Sequence, residues 1–176
     1  MKTSLVVTVI GADRPGLVNA LAARASAAGA NWLESSMAHL AGHFAGIVRL
    51  EVVEGDVGKL EAGLRELEAE GLRLTVERGE PATVPVAQRV TTLELVGHDR
   101  PGIVREISAA LARKGASICR LETACENASF SGEPLFRASV EVQLPASVEP
   151  ASLQAELEAL ANELMVDLRL EDKAAN

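Results

Sequence analysis

Two copies of one six-residue turn carry the groups with the clearest capacity for chemistry. Gly11-Ala-Asp-Arg-Pro-Gly16 recurs as Gly97-His-Asp-Arg-Pro-Gly102, each time between a strand-like and a helix-like segment. The aspartate can cap the helix by accepting hydrogen bonds from its first amides, and proline suits a first turn that needs no N–H donor. Gly16 and Gly102 allow a molecule to approach the backbone, where free amides and the helix dipole favour a small anion such as a carboxylate. The same residues also make an ordinary helix start, so the turn alone leaves both interpretations open.

The remaining candidates for catalysis or metal binding are isolated residues. His39, His43 and His98 have no cysteine or carboxylate partner at the spacing of zinc ligands. The chain contains no Gly-x-Ser-x-Gly, His-Glu-x-x-His or P-loop motif. Trp32 could serve either as a platform for a ligand or as an anchor in a core or an interface. We therefore predict no metal, no cofactor and no catalytic residue.

The turn belongs to an internal duplication with a shift of 86 positions, the distance from Gly11 to Gly97. Held from residue 11 to residue 30, that shift gives nine identities in twenty positions. The identical residues of the first copy are Gly11, Asp13, Arg14, Pro15, Gly16, Val18, Ala23, Gly29 and Ala30. Each copy is therefore expected to fold as one unit of the same kind.

Hydrophobic periodicity predicts the same order of elements in both copies. In the first copy, a strand of alternating apolar residues leads through the turn to a helix that Gly29 ends. A hairpin over residues 31–40 and 45–53 follows, then a helix capped by Asp56 and a last strand over 72–76. The apolar residues expected on the buried face of the first helix are Leu17, Val18, Leu21, Ala25 and Ala28, and in the second copy Ile103, Val104, Ile107 and Leu111.

The order β-α-β-β-α-β, found twice, predicts an α+β protein with two ferredoxin-like domains in tandem. In each domain, helices on one face cover the apolar side of a four-stranded antiparallel sheet. We place the first domain at residues 1–78, a linker at 79–89 and the second domain at 90–172. The second hairpin is longer over residues 126–135, with Phe130 at its tip, and this extension is either a partner-docking element or a flexible insertion.

The turn sequence Asp-Arg-Pro-Gly, followed by Leu-Val or Ile-Val after the first strand of such a unit, resembles the ACT domain, a small regulatory module that binds amino acids. Further segments extend the resemblance, over nearly the whole chain, to the tandem-ACT family of glycine cleavage system transcriptional repressors. These segments are Asn31-Trp-Leu-Glu-Ser-Ser-Met-Ala-His-Leu-Ala-Gly42, Phe44-Ala-Gly-Ile47, Ser131-Gly-Glu-Pro-Leu-Phe136 and Leu160-Ala-Asn-Glu-Leu-Met-Val-Asp167.

The resemblance implies an effector site between paired ACT domains, formed by the first strand–helix turn and a polar residue that opens the second strand. The implied ligand-binding residues are Gly11, Asp13, Arg14, Gly16 and Asn31 in the first copy, and Gly97, Asp99, Arg100, Gly102 and Ser117 in the second. Ser117 departs from the asparagine of the first copy, and its single hydroxyl offers fewer hydrogen bonds than an amide. The second copy is therefore either a weaker site or only a pairing partner.

Charge and composition favour a protein partner over nucleic acid or a membrane. The net charge is −8 and no dense basic run is present, so direct DNA binding is disfavoured. No apolar run approaches the roughly 20 residues of a membrane helix, and the first residues do not resemble a signal peptide. Cys119 and Cys125 lie on one predicted strand, about 20 Å apart, too far for a disulfide. We expect a cytoplasmic protein with free thiols.

The resemblance implies a non-catalytic regulatory protein that binds glycine or a similar small amino acid and modulates transcription by contact with a partner regulator. The alternative is a stand-alone amino-acid-binding module that regulates a metabolic enzyme. A third interpretation is an enzyme, because formyltetrahydrofolate deformylases also begin with an ACT domain, but here the second copy fills the rest of the chain. The open edges of four-stranded sheets favour association, so we expect the copies to pair within a chain and chains to form a homodimer or a larger assembly.

Overall fold

The computed structural model describes residues 1–79, 89–127 and 134–172. The chain divides into two compact units, residues 1–84 and 85–176. Residues 80–88 of the predicted linker lie outside the described residues, whereas Arg89 already belongs to a strand. The tip of the second hairpin with Phe130 also lies outside them.

The first unit has the predicted order of elements. Its strands and helices are β1 (Lys2–Ala12), α1 (Leu17–Ala27), β2 (Asn31–Leu40), β3 (His43–Val53), α2 (Val57–Arg65) and β4 (Leu72–Arg78). The strands form an antiparallel sheet in the order β2-β3-β1-β4, so β2 and β4 are its edges. Short 3₁₀ turns precede and follow α2.

The second unit repeats this arrangement. Its elements are β5 (Arg89–His98), α3 (Ile103–Arg113), β6 (Ser117–Asn127), β7 (Pro134–Leu144), α4 (Pro150–Leu164) and β8 (Val166–Asp172). The sheet order is β6-β7-β5-β8. The prediction of two α+β, ferredoxin-like units with antiparallel sheets is therefore confirmed.

Each unit has its own aliphatic core between one face of the sheet and the two helices. Leu5, Val7 and Val9 of β1 lie in the first core, and Leu93 and Leu95 of β5 lie in the second. Phe44 and Phe136 occupy equivalent core positions, each 8% exposed. The alternation of these residues along the strands places one face of each sheet against the helices, as the period of two requires.

One prediction about the first helices is wrong. Val18 and Val104 were expected on the buried face, but they are 47% and 42% exposed. The buried stripe of α1 runs through Leu17, Leu21 and Ala25, at a spacing of four residues. A residue next to that stripe in sequence is turned about 100° away from it, because an α-helix has 3.6 residues per turn.

The capping prediction for the turn is also wrong. The helices begin one residue after Gly16 and Gly102, which are the N-cap residues, with φ angles of 91° and 101°. Asp13 and Asp99 therefore lie three residues before the caps, too early to accept the first helical amides. Asp56 does occupy the N-cap of α2, but within the described ranges its side chain makes no capping hydrogen bond. Gly16 and Gly102 are glycines because left-handed backbone is costly for any other residue.

The duplication extends to an irregularity in the sheets. The pairing of β2 with β3 shifts register between Trp32 and Glu34, and the pairing of β6 with β7 shifts between Ile118 and Arg120. The two shifts lie at positions that the sequence repeat makes equivalent. No helix in the described ranges is long and apolar enough to span a membrane.

Candidate functional site

The N-terminus of α1 presents an open backbone surface, whereas at α3 the Oε1 atom of Glu106 would lie 3.5 Å from a Cβ atom built on Gly102. A Cβ atom built on Gly16 would meet no atom within 4 Å, so the space in front of this residue is free. The carbonyl of Gly16 accepts the first helical hydrogen bond, from the amide of Ala20 at 2.9 Å. The amides of the first turn have no acceptor within the helix, and the dipole adds partial positive charge there. This surface can hold a carboxylate.

Gly11 and Gly97 have a structural role that the sequence did not reveal. A Cβ atom on Gly11 would lie 2.6 Å from Cδ2 of Leu72 and 2.9 Å from the carbonyl oxygen of Gly71. A Cβ atom on Gly97 would collide with Val166, whose Cα would be 3.0 Å away. These glycines allow the first residue of the last strand to pack closely on the end of the first strand.

The two arginines of the turns fold back onto their own units. The Nη2 atom of Arg14 donates to Oε2 of Glu70 at 2.7 Å and approaches the carbonyl oxygen of the same residue at 3.4 Å. The Nη2 atom of Arg100 approaches the carbonyl oxygen of Glu163, at the end of α4, at 3.5 Å. Arg14 therefore connects its turn to the segment that follows α2, and Arg100 connects its turn to the last residues of α4. Arg14 reaches an effector only by exchanging this ion pair.

The aspartates of the turns face the second strand. Oδ2 of Asp13 lies 3.6 Å from Nε2 of His39, and both side chains are about half exposed. In the second unit the equivalent of His39 is Cys125, and Asp99 is hydrogen-bonded to its thiol. Desolvation, followed by the charge and the hydrogen bond of Asp99, raises the pKa of the Cys125 thiol, which keeps the thiol protonated at neutral pH. A protonated thiol is a poor nucleophile, so Cys125 is not set up for covalent chemistry.

Backbone hydrogen bonds fix these aspartates beside the hairpin. The amide of Asp13 donates to the carbonyl of Gly42 at 2.9 Å, and the amide of Asp99 donates to that of Pro134 at 3.1 Å. The pairing of Asp13 with His39 escaped the sequence analysis, which treated the histidines as isolated. The repeat shows only that the equivalent positions are Asp99 and Cys125, so the contact itself becomes visible in the structure.

Asn31 and Ser117 lie at the opposite end of their sheets from the turns. Asn31 pairs across β3 with the row of Ser4, whereas Gly11 lies seven residues further along β1. At ~3.3 Å per residue, that distance is about 23 Å. The register places Ser117 equally far from Gly97 in the second unit. The structure therefore does not bring the turn and the strand opening together within one unit.

The second strands present an apolar border beside the first helices. In the second unit, Ile118, Leu121 and Val104 are 39%, 43% and 42% exposed. They line a groove between α3 and β6 with a volume of about 20 Å³, room for little more than a water molecule. Trp32 of the first unit is partly buried, and its Nε1 donates to Oγ of Ser35 at 3.3 Å. Within the described ranges, no group of His, Cys, Asp and Glu side chains could hold a metal ion.

Comparison with known proteins decides the family. The ACT domain family matches residues 3–77 and again residues 92–171. The chain belongs to the ACT domain family. It contains two ACT domains, and each match spans one of the βαββαβ units described above.

The similarity to known proteins extends over nearly the whole chain. The glycine cleavage system transcriptional repressor of Escherichia coli (strain K12) is 26% identical over 161 residues, which cover 91% of this chain and 85% of that protein. A crystal structure of a protein of unknown function from Galdieria sulphuraria is 32% identical, with a TM-score of 0.88 over 99% of this chain and all of that one. The crystal structure of a candidate glycine cleavage system transcriptional repressor has the same fold, with 20% identity and a TM-score of 0.72 over 98% of each chain. Two ACT domains and a relative that represses transcription place this tandem ACT protein among regulatory proteins.

Proposed function

We propose that this tandem ACT protein is a non-catalytic regulator that binds glycine or a similar small amino acid and modulates transcription by contact with a partner regulator. The observation that carries the proposal is the open helix N-terminus at Gly16, found in a chain that is similar to a transcriptional repressor over 91% of its length. The functional domains are residues 1–78 and 89–172, and the segment 79–88 links them.

The effector site is composite. The turn of the first ACT domain contributes Gly11, Asp13, Arg14 and Gly16, and the first ACT domain of a second copy of the chain contributes Asn31, which opens its β2 strand. The α-carboxylate of the effector accepts hydrogen bonds from the first amides of α1. Its ammonium group lies beside the Asp13 carboxylate, and the Asn31 amide supplies a donor and an acceptor. This arrangement is supported by the distance of about 23 Å that separates the two ends of β1, at ~3.3 Å per residue.

The second copy of the site is weaker or serves only in pairing. Its residues are Gly97, Asp99, Arg100, Gly102 and Ser117. The serine hydroxyl offers a single donor where the amide of Asn31 offers two, and Asp99 is already hydrogen-bonded to the thiol of Cys125. Ligand binding at the first copy therefore dominates the response.

The unpaired edge strands supply the means of association. β2 and β6 have ten and eleven residues, compared with seven in each of β4 and β8. Long, exposed strand edges recruit further strands. We therefore propose that antiparallel pairing of β2 with β2, and of β6 with β6, of a second copy assembles the effector sites and gives a homodimer or a larger assembly. The exposed free thiols of Cys119 and Cys125 suit the reducing cytoplasm.

The net charge of −8 favours action through another protein, since DNA binding requires clustered lysine and arginine to neutralise phosphates. We propose a transcriptional regulator as this partner, because the chain is similar to a transcriptional repressor and lacks a dense basic run of its own. A metabolic enzyme regulated by the same amino acid is the alternative partner. A gel-shift titration separates direct from indirect action: we expect no tight, salt-sensitive complex between the purified chain and promoter DNA.

A thermal-shift screen of the full chain against the twenty amino acids tests the ligand. A ligand at about 100 times its dissociation constant adds roughly 2.7 kcal/mol of apparent stability, which raises the melting temperature by a few degrees. We expect the largest shift with glycine or another small amino acid. A screen in which no amino acid raises the melting temperature would contradict the effector proposal and leave only a pairing role for the turns.

A further inference from the structure

The sheet of the first unit has one face that its own helices do not cover. We call this surface the open face, and its middle row crosses all four strands. The row consists of Thr75, Thr8, Ile47 and Ser36, in the order β4-β1-β3-β2. All four side chains are exposed, and none carries a charge. Ile47 is 47% exposed at the centre of the row.

The two rows on either side of the middle row contain four uncharged and four charged side chains. On one side lie Arg73, Ile10, Ala45 and Ala38, and on the other lie Glu77, Val6, Arg49 and Glu34. Ile10 is 40% exposed. Arg49 and Glu34 neutralise each other, with Nε 2.9 Å from Oε1. Val6 and Ile47 also line a shallow depression of about 290 Å³.

The second unit provides an internal reference, because duplication gave both sheets the same origin. Its middle row consists of Arg169, Glu94, Ser139 and Glu122. Glu94, Ser139 and Glu122 use their polar groups within their own sheet. Oγ of Ser139 donates to Glu94 at 2.6 Å, and Arg120 forms an ion pair with Glu122 at 2.6 Å. This is an ordinary solvated face, so the uncharged middle row of the first unit is a property of that unit and not of the fold.

Two charges on the open face have no ion-pair partner within the described residues: Arg73 and Glu77. Both lie on β4, and both are exposed. They are four residues apart on one strand, about 13 Å at ~3.3 Å per residue, and the uncharged middle row lies halfway between them. Opposite charges placed symmetrically about an uncharged row make this surface complementary to itself.

We propose that the open face of the first unit binds the open face of a second copy of the chain. The twofold axis runs along the middle row, between two sheets about 10 Å apart. Such an axis leaves the middle row opposite itself and exchanges the two outer rows. Arg73 of each copy then faces Glu77 of the other, and Ile10 of each copy faces Val6 of the other, beside the depression.

The area of the open face predicts a reversible interface. Four strands at ~4.8 Å and three rows at ~6.7 Å give about 400 Å² on each copy, on the order of 800 Å² in total. This area is below the standard size of stable protein–protein interfaces and is typical of weak, transient association. The two copies therefore associate in a concentration-dependent way. This interface uses a sheet face and is separate from the edge pairing of β2 and β6.

Charge reversal tests the proposal by sedimentation velocity of the full chain over a range of concentrations. R73E and E77R each place like charges opposite one another twice, and we expect each to weaken the association at the open face by about tenfold or more. An equimolar mixture of the two variants should restore it. In the mixed pair, two acidic residues of one copy face two arginines of the other.

E171R is the matched control, because Glu171 occupies the position of Glu77 in the second unit. We expect E171R to associate like the unsubstituted chain, and circular dichroism should show that all three variants are folded. Single variants with unchanged association would overturn the proposal. Single variants that weaken association without rescue in the mixture would also overturn it, because the open face would then contact something other than itself.

Discussion

The carboxylate of Asp13 and the imidazole of His39 face each other across 3.6 Å, and the duplicated position of this pair holds Asp99 and Cys125. A carboxylate is kept in both copies, whereas its partner differs. The turn thus presents an aspartate beside the second strand in both units. Only in the second unit does that aspartate hydrogen-bond a thiol, which is one physical reason for the two sites to behave differently.

The reactivity of Cys125 should depend on Asp99. Desolvation is the largest cause of the raised pKa of the thiol, and the charge and hydrogen bond of Asp99 raise it further. D99N removes the negative charge, so the pKa falls towards its ordinary value and the thiolate fraction at about pH 8 increases. We expect faster alkylation of Cys125 by iodoacetamide, measured by peptide mass spectrometry. The rate at Cys119 in the same sample is the control, and an unchanged or slower rate at Cys125 would contradict this view of the pair.

Alanine substitutions at glycines should separate steric from conformational requirements. G11A places a methyl group against the Gly71 carbonyl, 2.9 Å from the Cβ position, and overpacking of this kind typically costs roughly 1–3 kcal/mol. G63A is the control, because Gly63 lies inside α2 and its Cβ would make only ordinary contacts at 3.8 Å. Relief of a helical glycine stabilises by roughly 0.5–1 kcal/mol. Urea unfolding measures the change in the free energy of unfolding for both variants. Equal changes for G11A and G63A would contradict the close packing of β1 on β4.

The ion pairs of Glu156 should make stability depend on pH in a defined direction. Hydrogen bonds from Lys114 and then Arg113 lower the pKa of the Glu156 carboxyl, with contacts of 3.1 and 2.9 Å. A lowered pKa in the folded state adds stability above the unfolded pKa, and this stability is lost as the pH falls through the folded value. We expect E156Q to be less stable than the unsubstituted chain at pH 7, with a difference that shrinks as the pH falls below the ordinary glutamate pKa of about 4.3 and vanishes below the lowered pKa of the folded state.

Urea unfolding at pH 7, 5 and 3 measures this dependence. E163Q is the control, because Glu163 is exposed on the same helix. Neutralising it should not reproduce the loss at pH 7. A difference between E156Q and the unsubstituted chain that grows as the pH falls would have the wrong sign for this mechanism.

The fold was predictable from the sequence because the periodicity of apolar side chains and the positions of glycines are local features of the chain. Strands with alternating apolar residues and helices that end at Gly29 and Gly115 follow directly from side-chain periodicity and backbone conformation. The repeat showed that both halves have the same order of elements, and the order β-α-β-β-α-β predicted the topology. Val18 and Val104 were misplaced because a run of two apolar residues at a helix start does not reveal which of them faces the sheet.

The site was less predictable because it depends on distances between segments far apart in sequence. The ion pair of Arg14 and Glu70 joins residues separated by 56 positions, and no local sequence pattern predicts it. The caps were misjudged for a similar reason. The sequence Asp-Arg-Pro-Gly is typical of a capping motif. In the structure the N-cap is Gly16, with a positive φ, and Asp13 lies beside His39 of the hairpin.

Calorimetric titration of glycine and the other small amino acids into the full chain measures effector binding. We expect the turn of the first copy and Asn31 to form the stronger site. N31A should therefore weaken binding by about tenfold or more, the loss expected for hydrogen bonds worth at least 1.4 kcal/mol. S117A should weaken it less, and both variants should keep their circular dichroism spectra. Equal losses from N31A and S117A, or no binding heat with any amino acid in the unsubstituted chain, would contradict the account.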